Sequence, residues 1–147
     1  MSAMCSMCST LGTHLLRCSH GGERIAAHDA LRDVIYYIIR DAGCAVVREK
    51  TRFLPSSILG GRGGRVDLVI SKPARGHTLL DVVISDPTRV DLVIRAVVVS
   101  QHAASEVARQ KERHHKGPRG ATFIPIAIET YNALSSQTDE FLCDCAR

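Results

Sequence analysis

Two short apolar segments of β-strand type each carry an aspartate in their interior. Asp67 lies in the segment RVDLVI at 65–70, and Asp81 lies in LLDVVI at 79–84. Strand interiors are depleted in aspartate, because its short charged side chain competes for backbone hydrogen bonds and resists burial. A hard divalent cation such as magnesium is a partner that favours clustered carboxylates. The pair therefore predicts a sheet that carries a candidate metal site.

The composition indicates one folded domain with a basic surface. A chain of 147 residues in which 45% are hydrophobic is long enough for one core. The net charge of +4 is weak evidence for a polyanionic partner. The basic residues are concentrated around the first aspartate and in a later cluster. The predicted nucleic-acid contacts among them are Arg48, Lys50, Arg65, Arg109 and Arg113. Basic groups around an acidic centre suit a phosphodiester substrate.

The sequence predicts neither secretion nor a membrane span. The first 18 residues are polar and rich in cysteine, unlike a signal peptide. The longest apolar run, 90–99, is interrupted by Asp91 and Arg95 and is far shorter than the roughly 20 residues that a bilayer requires. We therefore expect an intracellular protein. Six cysteines in such a protein indicate metal ligands or free thiols before disulfides, and Cys44, Cys143 and Cys145 are expected to be packed or free thiols.

Hydrophobic periodicity predicts a helix followed by a meander of three strands. Apolar residues recur at helical spacing over about 23–42, and Gly43 stands where a helix would end. Short β-type segments at 45–49, 66–71 and 78–85 are separated by stretches rich in glycine.

The second half of the chain adds helices and one more strand. The predicted elements there are a polar helix at 102–116, a strand at 122–129 and a terminal helix at 138–146. The apolar segment 90–99 is left without an assigned type. The resulting order, α-β-β-β-α-β with a terminal helix, predicts an α/β fold in which helices cover a mixed sheet.

A separate zinc-binding segment is predicted before the first helix. Four zinc-type ligands lie within fourteen residues, namely Cys5, Cys8, His14 and Cys18, and His20 is a spare candidate. So short a segment cannot fold by burial, whereas a bound zinc would contribute on the order of 10 kcal/mol. The alternative is a frayed N-terminus with incidental cysteines. We predict a zinc knuckle at 1–22 and a second domain at 23–147.

Several motifs of the chain, taken together, resemble a known family. They are the knuckle, Gly21-Gly22, the segment AHDAL at 27–31, Glu49, Val66-Asp67, LDVV at 80–83, Lys111 and TFIPIAIET at 122–130. Together they are similar to the C-terminal region of site-specific non-LTR retrotransposon polyproteins. That region is a zinc knuckle followed by a restriction-like endonuclease of the PD-(D/E)XK superfamily. The similarity covers the whole chain, and the thirteen residues between Asp67 and Asp81 fall in the family's usual interval.

The resemblance implies a role for each acidic residue and for one lysine. Asp67 matches the aspartate of the Pro-Asp pair, Asp81 matches the second acidic ligand one strand later, and both would hold a catalytic magnesium or manganese ion. Glu49 matches the upstream acidic residue that completes or orients the cluster. The family's lysine is often displaced from the strand onto the next helix, where Lys111 lies, and Val83 occupies the strand position that other superfamily members give to lysine.

The chain also departs from the family pattern. Val66 replaces the proline before the first aspartate, Ala27 replaces the usual arginine before His-Asp, and His115 stands where a tyrosine commonly follows the lysine. None of these changes removes a predicted metal ligand.

Structural alternatives remain for three of the predicted site residues. Asp67 could cap a strand or pair with Arg65 or Arg89, because surface ion pairs of this kind are common. Glu49 could belong to a solvated strand face, and Lys111 to a solvated helix surface.

Three histidines are assigned structural or surface positions. His28 is expected to cap or pack the first helix, and His114 and His115 are expected to be exposed.

The predicted function is metal-dependent nicking of target DNA by a restriction-endonuclease-like αβββαβ core with an N-terminal zinc knuckle. Its expected partners are DNA and the RNA of a retroelement, and its expected location is the nucleus. The alternatives are a decayed module that binds nucleic acid without cleaving it and a structural zinc protein that binds other proteins. The oligomeric state is not predicted.

Overall fold

The computed structural model of the protein describes residues 22–51, 65–72, 76–115 and 120–147. The zinc-knuckle prediction therefore lies outside the described residues, apart from its last position. The helices are α1 (Glu23–Asp41), α2 (Val93–Ala96), α3 (His102–His114) and α4 (Ser136–Cys145). The strands are β1 (Ala45–Thr51), β2 (Arg65–Lys72), β3 (Gly76–Ser85) and β4 (Thr122–Glu129).

The strands form one mixed sheet in the order β1-β2-β3-β4. β1 pairs with β2 and β2 pairs with β3 in antiparallel fashion, whereas β3 and β4 are parallel. A parallel pair cannot be joined by a tight turn, and α2 and α3 lie in the crossover between β3 and β4. The fold is therefore α/β with an open four-stranded sheet.

Alternation of side chains along the strands divides the core between the two faces of the sheet. On one face, Ile35 and Ile39 of α1 pack with Leu80 and Val82 of β3, and α4 adds side chains to the same cluster. On the other face, alanines of α3 pack against β3 and β4. Successive strand residues point to opposite faces, so β3 contributes its even-numbered residues to the first cluster and Val83 to the second. β3 is consequently covered by helices on both sides.

The ends of α1 and α4 follow local chemistry. Gly43 has a φ of +76°, which glycine adopts without the steric penalty that a Cβ atom brings, and α1 ends two residues before it. Ser135 caps α4, because its side chain accepts a hydrogen bond from the backbone N–H of Thr138.

The predicted elements and their order are confirmed in the described ranges. Their boundaries agree to within a few residues, and the strand at Thr122–Glu129 agrees at both ends. The unassigned segment 90–99 contains the short helix α2 and leaves several valines in solvent, including Val90, Val97 and Val98. Among the helices that the structure describes, none combines the length and the apolarity needed to cross a bilayer.

The cysteines in the described part of the chain agree with the prediction of packed or free thiols. Cys44 and Cys143 are free, and Cys145 packs against the core together with Cys44.

Candidate functional site

Asp67 and Asp81 occupy adjacent strands at the point where the pairing between them ends. The β2–β3 ladder runs from the pair Lys72–Gly76 to the pair Leu68–Leu80. Asp67 and Asp81 are the next residues on each strand, so the register brings the two aspartates across from one another. Both side chains are buried, with 5% and 7% of their residue surface exposed. The prediction that these aspartates lie within strand interiors is confirmed.

The carboxylate of Asp67 bonds to the backbone of β3 and to a histidine. Its Oδ2 accepts a hydrogen bond of 2.7 Å from the backbone N–H of Val82. The same oxygen lies 3.2 Å from Nε2 of His28 on α1. The suggested pairing of Asp67 with Arg89 does not occur, because Arg89 instead binds Asp91 at 2.7 Å. Asp67 therefore joins β2, β3 and α1.

The protonation of Asp67 reflects a balance of opposing effects. Burial raises the pKa of its carboxyl group above the ordinary value of 3.8. The hydrogen bond from Val82 lowers that pKa, the negative charge of Asp81 raises it, and His28 lowers it. The charge of Asp81 thus acts on Asp67 from the neighbouring strand. Such a pair gains stability from a cation.

Lys111 supplies one such cation from the other side of the sheet. It lies on α3, and its Nζ is 2.5 Å from Oδ2 of Asp81. That oxygen is buried, and its partner in the described part of the chain is this ammonium. Lys111 keeps about 33% of its side-chain surface exposed. Lys111 is thus half-buried and paired with Asp81, and is not simply solvated on the helix surface.

His28 is a site residue that the sequence analysis assigned only to capping or packing. Its Nε2 lies 3.2 Å from Asp67 Oδ2 and 3.2 Å from the carbonyl oxygen of Val82. Its Nδ1 lies 3.3 Å from the carboxylate of Asp29, the next residue in α1. The segment 27–31 had drawn attention only through the family resemblance, and the contact with Asp67 spans 39 residues of sequence.

His115 is also closer to the site than its sequence position indicated. It was expected to be exposed, but it is half-buried, and its ring stacks on Phe123 of β4 with a centroid distance of 4.9 Å. Burial lowers its pKa below 6.5; the charge of Asp81 raises that pKa, and Lys111 lowers it. The Nδ1 atom of His115 is buried without a hydrogen-bond partner among the described residues. His114 is exposed, as predicted.

The position of Glu49 can be followed through the backbone alone. The β1–β2 register pairs Arg48 with Leu68 and Lys50 with Val66, so Glu49 lies between these pairs and across from Asp67. Its side chain is outside the described part of the structure. The register therefore brings the third predicted acidic position to the same end of the sheet.

The predicted nucleic-acid contacts differ in their surroundings. Arg109 and Arg113 are exposed on α3 and pair with Glu106 of the same helix at 3.0 and 3.5 Å. Arg48 instead lies 3.3 Å from Asp33, and its guanidinium stacks 4.1 Å from the ring centre of Tyr36. Arg48 is thus engaged by α1. The side chains of Lys50 and Arg65 are outside the described part of the structure.

The described side chains include some of the donors predicted for a cation. In the ranges that the structure describes, no group of three or more histidine, cysteine, aspartate or glutamate side chains is arranged to hold a metal ion. Two of the three carboxylates predicted for magnesium, those of Asp67 and Asp81, are described and lie on neighbouring strands. The four predicted zinc ligands, Cys5, Cys8, His14 and Cys18, lie outside the described residues.

Comparison of the chain with protein-family models gives no match, and comparison with curated protein sequences gives none either.

Proposed function

We propose that the protein is a divalent-metal-dependent DNA endonuclease of the PD-(D/E)XK type, which nicks target DNA and is related to the nuclease region of site-specific non-LTR retrotransposons. The proposal includes a zinc knuckle at 1–22 and a restriction-endonuclease-like core at 23–147. It rests on the site and on the order of the elements. The described elements run αβββ, then helix, then β, as that core requires.

The observation that carries the proposal is the pair of buried aspartates beside a lysine. Asp67 and Asp81 lie on adjacent strands and influence one another, and Lys111 is 2.5 Å from Asp81. Burying two carboxylates together is unfavourable unless cations or hydrogen bonds compensate them. Such an arrangement in a protein interior is more easily explained by a functional site than by a contribution to stability.

A divalent cation suits the donors that are present. Hard oxygen ligands are those that magnesium prefers, and Asp67 and Asp81 supply them. Oδ2 of Asp81 is buried, and its partner among the described residues is the Lys111 ammonium at 2.5 Å, so this oxygen already faces a positive charge. When bound, the cation would act as a Lewis acid on water and on the scissile phosphate.

The remaining groups would place the substrate and handle charge. Lys111 would offset the negative charge that develops on the phosphoryl oxygens, because its ammonium already lies at the carboxylate of Asp81. In hydrolysis, an oxygen of water bonds to phosphorus and gives up a proton, the bond from phosphorus to the leaving oxygen breaks, and the leaving oxygen takes up a proton. Arg109 and Arg113 would contact the DNA backbone, since both are exposed on the helix that carries Lys111.

The test is nicking of supercoiled plasmid by zinc-loaded protein in magnesium or manganese. Asp67→Asn and Asp81→Asn remove one negative charge each while keeping the size of the side chain. We expect both to reduce nicking at least a hundred-fold, and Lys111→Gln to reduce it by about ten-fold to a hundred-fold, because the charge at the phosphate is lost.

Asp41→Asn is the matched control. Asp41 is exposed in the last turn of α1, where its only described ion pair is a 3.9 Å contact with Arg40. This variant is expected to nick as fast as the wild type. Equal activity of Asp67→Asn and the wild type would contradict the proposal. Salt-sensitive DNA binding without nicking would favour a non-catalytic module that binds nucleic acid.

A further inference from the structure

We propose that His28 is a positioning residue, whose Nε2–H holds the Asp67 carboxylate and the Val82 carbonyl oxygen together at the cation site. This inference rests on the proposed function and deepens it, since it adds a residue of α1 to a site otherwise built from β2, β3 and α3. It concerns how the oxygen ligands are held before a cation binds.

The geometry around Nε2 identifies the donor. Nε2 of His28 lies 3.2 Å from Asp67 Oδ2 and 3.2 Å from Val82 O. A carboxylate oxygen and a carbonyl oxygen accept hydrogen bonds and cannot donate them. A bare ring nitrogen facing both oxygens would be repelled, so we assign a ring proton to Nε2, shared between the two oxygens; Nδ1 faces a single carboxylate oxygen, that of Asp29.

The other contact of Asp67 explains why a second donor is needed. The Val82 N–H reaches Oδ2 at 2.7 Å and fixes one end of the carboxylate to β3. A single hydrogen bond leaves the carboxylate free to rotate about it. The His28 donor approaches the same oxygen from α1 and also binds the carbonyl oxygen of the same residue, Val82. The two oxygens are thereby brought to one nitrogen, and both belong to the class that binds hard cations.

The ring itself is held by a packed helix. His28 lies in the second turn of α1, and Ile35 and Ile39 fix that helix in the core with 2% and 0% of their surface exposed. Nδ1 of His28 lies 3.3 Å from Asp29, which Arg32 also binds at 3.0 Å. Contacts on both sides of the ring limit its rotation. Outer partners that orient the ligands of a metal commonly change metal affinity by about 10- to 100-fold when they are removed.

The test is manganese binding by the full-length protein, followed by the electron paramagnetic resonance signal of free Mn²⁺. His28→Ala removes the donor, whereas His28→Gln places an amide N–H at similar reach. We expect His28→Ala to weaken binding about ten-fold or more and His28→Gln to remain within about three-fold of the wild type. His77→Ala is the matched control, because His77 lies at the start of β3, where its ring bonds to Ser71.

The outcomes separate this inference from the proposed function. Binding by the wild type that is lost in Asp67→Asn but unchanged in His28→Ala would overturn the role of His28 and leave the nuclease proposal standing. Equal weakening in His28→Ala and His28→Gln would also overturn it, because packing of the ring rather than its donor would then be responsible. Absence of binding by the wild type would overturn both proposals.

A second measurement needs no metal. Long-range ¹H–¹⁵N correlation spectra of the metal-free protein distinguish which nitrogen of His28 carries a proton. We expect a protonated Nε2, and we expect its resonance to shift in Asp67→Asn. A deprotonated Nε2 would overturn the inference whatever the nuclease activity is.

Discussion

At the scale of single residues, Asp67 combines burial with a like-charged neighbour. Its carboxylate accepts hydrogen bonds from Val82 and His28, but burial and the charge of Asp81 both raise its pKa. The charged form is therefore less stable in the folded protein than in the unfolded chain. This is the kind of local cost that functional sites carry.

Asp67→Asn is expected to stabilise the protein while abolishing nicking. The amide oxygen can accept both hydrogen bonds, and the buried charge is removed, so we expect the free energy of unfolding near neutral pH to rise on the order of 1 kcal/mol. Because the folded-state pKa of Asp67 is raised, the wild type regains stability as pH falls through it. The advantage of the variant should vanish below the ordinary value of 3.8. Urea denaturation at several pH values measures this, and a less stable variant near pH 7 would contradict it.

His115 is expected to make the stability of the protein depend on pH in the opposite direction. Its pKa is lowered chiefly by burial, so the folded protein keeps the ring neutral while the unfolded chain takes up a proton near pH 6.5. Stability is therefore present above that pH and is lost as pH falls toward the lowered pKa. His115→Phe keeps a ring against Phe123 but does not titrate. Between about pH 7.5 and 5.5, we expect the melting temperature of this variant to fall less than that of the wild type. The difference should be roughly 2–4 °C for each kcal/mol of unfolding free energy that the wild type loses when His115 becomes protonated. Parallel curves would contradict this.

At the scale of elements, the parallel pairing of β3 with β4 depends on a close backbone approach. A Cβ atom at Gly76 would lie 2.5 Å from the carbonyl oxygen of Gly120, and Gly76 also has a φ of +76°. Gly43 has the same φ but nothing within 4 Å of the corresponding position. A side chain at Gly43 would therefore meet conformational strain alone, whereas one at Gly76 would meet the same strain and a steric overlap as well.

Substituting each of these glycines with alanine measures the two effects. We expect Gly43→Ala to cost about 1 kcal/mol, the usual penalty of a left-handed residue with a side chain. Gly76→Ala should cost roughly 2–3 kcal/mol more, because the strand must shift to avoid the carbonyl. Both free energies come from urea denaturation. Equal losses would show that the approach of Gly120 does not constrain β3.

The helix that carries Lys111 is capped from a distant strand. Its N-cap residue, Gln101, makes no side-chain capping bond. Glu129 at the end of β4 instead accepts hydrogen bonds from the N–H groups of Ala103 and Ala104, at 2.9 and 3.2 Å. A carboxylate at a helix N-terminus is favourable because the exposed N–H groups carry partial positive charge.

Removing this cap is expected to destabilise α3. Glu129→Ala should cost about 2 kcal/mol, since two buried N–H groups lose their acceptor. Glu129→Gln keeps an acceptor oxygen and should cost less. Thermal unfolding of the two variants decides between them, and an unaffected Glu129→Ala would show that the cap contributes little.

At the scale of the whole molecule, the distribution of charge predicts how DNA binding depends on salt. The net charge is +4, and the exposed arginines of α3 lie on the helix that carries Lys111. Each phosphate that a basic side chain neutralises contributes about −0.9 to the slope of log affinity against log salt concentration.

Substitution of single arginines tests which of them contact the DNA. We expect Arg109→Ala and Arg113→Ala each to reduce the magnitude of that slope by about one. Arg48→Ala should leave the slope unchanged, because its guanidinium is held by Asp33 and Tyr36. A reduced slope in Arg48→Ala would instead support the sequence prediction that Arg48 contacts DNA. Fluorescence anisotropy at several salt concentrations provides the measurement.

Local sequence signals were sufficient for the elements and for one part of the site. The periodicities of 3.6 and 2 predicted the helices and strands, because they reflect which side chains face the core. The unusual position of Asp67 and Asp81 within apolar segments indicated that both are candidates for a shared site. His28 and His115 were assigned to other surroundings, because their contacts are to β2, β3 and β4 and no spacing within the chain reports them.

The sequence by itself determined the order of the elements, the mixed sheet and the two aspartates within it, because burial patterns and backbone preferences are local properties. Only the tertiary structure decided which helix contributes the side chain that contacts each aspartate. α1 brings His28 to Asp67, and α3 brings Lys111 to Asp81. These contacts depend on how the helices pack across the sheet, and packing is fixed by surfaces distant in sequence. For the same reason, the cap that Glu129 provides for α3 is visible only in the folded protein.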